Sequence, residues 1–225
     1  MATVPPIGFH GAEPGYLFGT DGLGRDVLSR VIFGTRVSLT VAFVAAGLAC
    51  LIGSLLGLVA GFLRGRVDAV ISRLVDIWMA FPPVLLSILL VAVLGAGLYS
   101  VITAIVVIDW TRFCRVVRTE TMGQAQMDYV VAARTIGFSL PAILFREILP
   151  NIVPVLIALL TLEMGIAVVV EAILSFVGLS VSSDTPTWGG MIAEVAQGSG
   201  RVSRAPSSPL VRRSGEDRCL KPLFC

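Results

Sequence analysis

The sequence predicts an all-α fold, a polytopic transmembrane helix bundle, and three observations carry that prediction. Hydrophobic residues make up 56% of the 225-residue chain. Charged residues make up 14%, against roughly 25% in soluble domains. Mean hydropathy is +0.90, and a soluble domain this apolar has no means of covering its surface.

Four spans follow in order. Residues 37–63 are 27 residues without a charge, about 40 Å as a helix and long enough to cross a hydrocarbon layer of about 30 Å with some tilt. Residues 77–108 are 32 uncharged residues interrupted by Gly95, Ala96 and Gly97. That run is too long for one helix and predicts a hairpin, one helix over 77–94 and another over 98–116 that takes in Asp109 and Arg112. Residues 151–181 form the fourth span, with Pro150 suited to its first turn and Glu163 and Glu171 inside it.

Arginines set the expected orientation. Five of them, Arg112, Arg115, Arg118, Arg134 and Arg146, surround the long connection between the third and fourth spans and place it in the cytoplasm. Alternation puts Arg64, Arg66 and Arg73 on the same side, and residues 179–190 outside. The expected organisation is an extracytoplasmic segment over 1–36 and a transmembrane domain over 37–196 with a cytoplasmic loop over 117–149. Arg25, Arg30 and Arg36 fall outside by the same rule, which leads to the expectation of a further helix before residue 1. Residues 197–225 hold six of the 17 basic residues and no apolar run, and they read as a disordered, non-native tail such as a frameshift produces.

The composition also excludes chemistry. Lys221 is the only lysine, so no P-loop is available for ATP, and His10 is the only histidine. Cys50, Cys114, Cys219 and Cys225 contain no C-x-x-C pair. Neither a metal site nor a cofactor is expected. Up to residue 196 the chain holds 11 arginines against 13 acids, so no nucleic-acid surface is expected.

Within the membrane two patterns stand out. Ala45, Ala49, Gly53, Gly57 and Gly61 recur at every fourth position of the first span, a small-residue stripe that admits another helix closely. Asp109, Glu163 and Glu171 are acids at membrane depth, candidates for a translocation path or for interhelical hydrogen bonds. In the cytoplasmic loop, Asp128 is expected to cap a short helix over 129–136 that ends at Gly137, and Ser139 with Pro141 starts a second one. Ala132 and Ala133 are expected to expose low-volume surface suited to a groove in another protein.

Tyr129-Val130-Val131-Ala132-Ala133-Arg134 followed by Gly137 and Ile148-Leu149-Pro150 resembles the EAA loop of permease subunits of bacterial ABC importers. The resemblance extends over residues 19–30, Arg66-Val67-Asp68, Val75-Asp76-Ile77, residues 174–179 and Pro186-Thr187-Trp188-Gly189-Gly190. Several motifs in the right order, from about residue 17 to 196, are similar to the dipeptide/oligopeptide/nickel branch, the dipeptide permease C-like type. The resemblance implies a multi-pass protein of the bacterial inner membrane and a fold usually of six spans. It implies a second homologous permease, two ATPase subunits and an extracytoplasmic substrate-binding protein as partners. Tyr129, Ala132, Ala133, Arg134 and Gly137 are then the ATPase-coupling residues, and the chain itself is not an enzyme. The family's glutamate at the first EAA position is Val131 here. Two other readings accompany this one: an intramembrane enzyme using the buried carboxylates, and a truncated fragment that inserts without assembling.

Overall fold

The computed structural model describes residues 4–8, 13, 15–179 and 185–202, with the side chains of 197–202 excepted. The described chain is helical, and its β structure is one isolated bridge between Thr20 and Asp26. The helices are α1 (Val27–Leu63), α2 (Gly65–Met79), α3 (Pro83–Leu94), α4 (Leu98–Gln124), α5 (Asp128–Thr135), α6 (Leu140–Ala142), α7 (Leu149–Phe176) and α8 (Trp188–Val202). A π-helical turn, Ile143–Ile148, leads into α7.

The first span begins ten residues earlier than its uncharged core suggests. Asp26 caps α1, its carboxylate accepting from the backbone N–H groups of Leu28 and Ser29. That cap carries the helix through Arg30 and Arg36 to Leu63, where Arg64 (φ 52°) and Gly65 (φ 61°) turn the chain back.

The second span departs from expectation. In place of one helix over 77–94, α2 starts at Gly65, stops at Met79 and is followed by α3 at 86° to it. The break lies at Ala80-Phe81-Pro82. Prolines at 82 and 83 remove two donors and push the residue before each out of helical conformation. The hairpin at Gly95 (φ 89°) forms as expected. By length and composition α1 and the stretch Leu140–Phe176 can each cross a membrane, and α2 with α3 makes a third span if the bent pair is counted as one. In α4, the expected third span, Asp109, Arg112 and Arg115 interrupt the apolar run.

Contacts between side chains give the helices their relative directions. Gly53, Gly57 and Gly61 of α1 meet successively later residues of α4, so α1 and α4 run parallel. Ser38 of α1 meets Glu171 near the end of α7, whereas Phe62 joins a core with Ile148 and Ile152 near its start, so α7 is antiparallel to α1. Asp68 of α2 pairs with Arg118 and Trp78 stacks edge-on with Trp110, so α2 is antiparallel to α4. These directions are those of alternating crossings.

The helix α8 has no counterpart among the four expected spans. Thr187 caps it, its hydroxyl oxygen accepting from the N–H of Gly190, and Trp188 Nε1 donates to the Val31 carbonyl 3.3 Å away. Gly189 lies against the Ala172 backbone, and Gly34 leaves room for the Trp188 ring. The helix runs six residues past the expected boundary at 196, to Val202, since no proline interrupts it before Pro206. Residues 203–225 of the expected tail, and 180–184 of the expected outer loop, lie outside the described residues.

Candidate functional site: a loop platform and a buried polar seam

The connection from α4 to α7 folds into a platform across three helix ends. In α5, Val130 and Ala133 are three positions apart and therefore share a face. Both are buried, in a cluster with Leu58 and Phe62 of α1, Val117 of α4, and Ile143, Ile148 and Ile152. Ala133 is only 5% exposed, so the expectation that it presents surface to a partner is corrected: the helical period turns it inward with Val130. Ala132 lies on the exposed side.

Arg134 is exposed, and its guanidinium sits 4.6 Å from the centroid of the Phe62 ring. Gly137, at φ 92°, ends the helix in the left-handed conformation, and Phe138 N–H donates back to the Ala133 carbonyl. The expected cap is also corrected. Met127 occupies the cap position, and Asp128 is the first helical residue with no side-chain capping bond. Its charge still favours the helix N-terminus. Ser139 precedes α6 in extended conformation, likewise without a side-chain cap. The outer face of the platform carries apolar side chains among polar ones, with Val131, Ile136, Phe138 and Leu140 between 46% and 75% exposed.

The polar seam lies where α7 meets α1 and α4. Glu163 and Glu171 are eight residues apart, about 12 Å along the axis and about 80° around it, and they turn to different neighbours. Glu163, with 2% of its side chain exposed, pairs with Arg112 of α4 at 3.0 Å. Asp109, one turn before Arg112, is 5% exposed and within electrostatic reach of both. Glu171 is not part of that group. It is fully buried and accepts from Ser38 of α1 at 2.8 Å and from Ser175 at 2.6 Å.

The small-residue stripe of α1 faces α4. A Cβ added at Gly57 would stand 2.7 Å from the Cys114 carbonyl and 2.9 Å from Val117 Cβ, and one at Gly61 2.6 Å from the Arg118 carbonyl. Gly53 abuts the Trp110 carbonyl in the same way.

Several participants were not legible as such in the sequence: Phe62 under Arg134, Ser38 and Ser175 around Glu171, and a charged clasp on the opposite end from the platform. There Arg30 reaches Asp21 at 2.6 Å and Glu194 of α8 at 2.6 Å. Burial would raise the Asp21 carboxyl, but backbone donors at Arg25 and Leu23 and the Arg25 guanidinium hold it below its ordinary value. Hydrogen bonds from Arg30 lower Glu194 likewise, against partial burial. A signal for part of this clasp was present, since Asp21-Gly22 predicts a turn and Asp26 three before Ser29 a helix start. The pairing with residue 194 had none.

Comparison with known proteins identifies the class first. A chain from an inward-facing crystal form of the MetNI methionine ABC transporter matches with a TM-score of 0.65 at 18% identity, over 76% of this chain and 82% of that one. The two chains therefore share a fold. The chain belongs to the family of binding-protein-dependent transport system inner membrane components, whose model matches residues 53–208. That match runs beyond 196, where the expected domain ended.

Among relatives, the dipeptide transport system permease protein DppC of Haemophilus influenzae is 37% identical over 85% of this chain and 65% of its own length. The di/tripeptide transport system permease protein DppC of Pseudomonas aeruginosa is 40% identical, over 84% and 63%. The oligopeptide transport system permease protein OppC of Bacillus subtilis is 37% identical, over 79% and 58%. The chain thus spans about three-fifths of the length of these relatives.

Proposed function

We propose that this chain is one permease half of an ATP-binding-cassette importer for peptides or related small solutes. It pairs with a second, homologous permease, receives solute from an extracytoplasmic binding protein, and docks two ATPase subunits from the cytoplasm. ATP hydrolysis belongs to those subunits, and the permease pair alternates which side its path faces.

The observation that carries this reading is the two-sidedness of α5. Its inner face, Val130 and Ala133, is anchored among the ends of α1, α4 and α7. Its outer side and the following turn present Val131, Ile136 and Phe138, each 46% to 75% exposed. A short helix fixed to three spans, with exposed apolar side chains on its free side, converts displacement of a bound partner into displacement of those spans. Asp109, Arg112 and Glu163 belong, in this reading, to the solute path, and Gly53, Gly57 and Gly61 to the packing that holds its wall.

Gly137 supplies the test. Added side-chain atoms meet open space there, but φ 92° strains any β-branched residue. Gly137→Val, and separately Ile136→Asp, should weaken pull-down of the ATPase subunits from membranes and lower uptake in proportion. Binding and uptake at wild-type levels in both variants would refute the docking assignment.

A further inference from the structure

Tyr129 heads the docking helix, and the sequence reading places it among the groups that contact the ATPase. Its hydroxyl points elsewhere. It donates to Gln124 Oε1 at 2.5 Å, and Gln124 is the last residue of α4. It accepts from Asn151 Nδ2 at 3.2 Å, in the first turn of α7. The same Asn151 amide donates to the Glu147 carbonyl at 2.7 Å, at the π-helical turn. One phenol thus joins the end of the helix entering the loop to the start of the helix leaving it. With Arg134 over Phe62 at the end of α1, α5 is tied to all three spans, by hydrogen bonds to two and a cation–π contact to the third.

These ties differ from the apolar contacts beneath α5. Val130 and Ala133 fix its position by packing, which tolerates sliding, whereas a hydroxyl bonded on both sides fixes the distance between α4 and α7. The π-helical turn makes that restraint consequential. A backbone with i→i+5 bonds can re-form as α-helix by shifting one residue in register, and unrestrained it would absorb a push on α5 before the push reached α7.

We infer that Tyr129 is a positioning residue for coupling. Through Gln124 and Asn151 its hydroxyl keeps α4 and α7 moving together when the docking helix is displaced. This rests on the importer reading and assigns Tyr129 to transmission rather than to partner contact.

The experiment uses the full complex of permease pair, ATPase subunits and binding protein in proteoliposomes. It records uptake of an equimolar dipeptide mixture and ATP hydrolysed in the same vesicles. Tyr129→Phe removes one oxygen and keeps the ring, so assembly and ATPase-subunit binding should stay at wild-type levels. Dipeptide imported per ATP should fall about five-fold, the scale of one net hydrogen bond. Gln124→Glu keeps an acceptor and should keep the wild-type ratio, whereas Gln124→Leu should lower it. Tyr129→Phe combined with Gln124→Leu should be no worse than either alone.

An unchanged ratio in Tyr129→Phe overturns the inference, whether the rates stay normal or fall together. Loss of ATPase-subunit binding in Tyr129→Phe also overturns it, since it would return the hydroxyl to the docking contact while leaving the importer reading intact. Failure of the wild-type complex to import any dipeptide under ATP overturns the importer reading for peptides, and the inference with it.

Discussion

The two sides of α1 are built on opposite principles. Toward α4 it presents Gly53, Gly57 and Gly61, each so close that a Cβ would meet backbone or β-carbon atoms of α4 at under 3 Å. Toward α7 it presents Ser38, bonded to the buried carboxyl of Glu171, and α4 faces α7 through Arg112 and Glu163. Lipid tails are as apolar as leucine, so no hydrophobic force draws helices together within a bilayer. One seam therefore gains from close van der Waals contact, and the other from polar groups that have no better partner. The close-contact seam depends on shape and tolerates no added volume. The polar seam depends on which partners are present, and most on the charged pair.

The largest expected effect is on the first seam. Gly57→Leu forces α1 and α4 apart against the Cys114 carbonyl and Val117, a cost of about 3 kcal/mol or more by the scale of core overpacking. Recovery of a monodisperse chain in detergent should be lost. A Gly57→Leu protein that is recovered and melts like wild type would show that the seam is not close-packed.

Next comes Arg112→Leu, which leaves Glu163 buried without its cation beside Asp109. Breaking one side of a buried pair costs on the order of 3 kcal/mol. Arg112→Leu with Glu163→Leu should recover much of that loss, since both charges are then gone. Thermal unfolding in detergent of the single and double variants measures the coupling, and a double variant no better than the single one would place the loss elsewhere.

Ser38→Ala is smaller. It removes one of two donors to Glu171 and should cost about 0.6 kcal/mol, the average for interhelical hydrogen bonds in membranes. A melting shift as large as that of Arg112→Leu would mean that Glu171 depends on Ser38 for more than one bond.

The smallest effect belongs to the clasp of Arg30 with Asp21 and Glu194. Arg30 holds the Glu194 carboxyl below its ordinary value of 4.5, so the folded protein binds that proton less readily than the unfolded chain. The contribution is present above about that pH and is lost as pH falls below it. With 45% of the Glu194 side chain exposed, solvent screening limits it to under about 1 kcal/mol. Wild type should exceed Glu194→Gln in melting temperature at pH 7, and the difference should close toward pH 3. A difference that persists at pH 3 would assign it to packing of α8.

How far the chain could be read without its structure varies by element. The glycine stripe was visible because a period of four is nearly the helical period, so residues at that spacing share a face whatever they pack against. The turn at Gly95 and the elbow at Gly137 were visible because left-handed backbone selects glycine. Break and bend in the second span were half visible. Pro82 and Pro83 mark the place, but the uncharged run on both sides masks it, and nothing local specifies 86°. Ala133 was misread because a short motif does not say which of two adjacent alanines faces inward. Val130, buried beside it, settles that only when the ends of α1 and α7 are in place.

What the sequence by itself determined is local and periodic: membrane residence, the approximate spans, the turns, the stripe and the motif that resembles a known family. These depend on hydropathy and backbone sterics, which act within a few turns of chain. What only the tertiary structure decided is pairing. Arg112 with Glu163, Ser38 with Glu171, Arg30 with Glu194 and Tyr129 between Gln124 and Asn151 join residues five to 164 positions apart. Side chains of serine, arginine and tyrosine accept many partners of similar energy, so the partner is chosen by which helices lie side by side. That arrangement comes from packing of the whole bundle, which no single segment encodes.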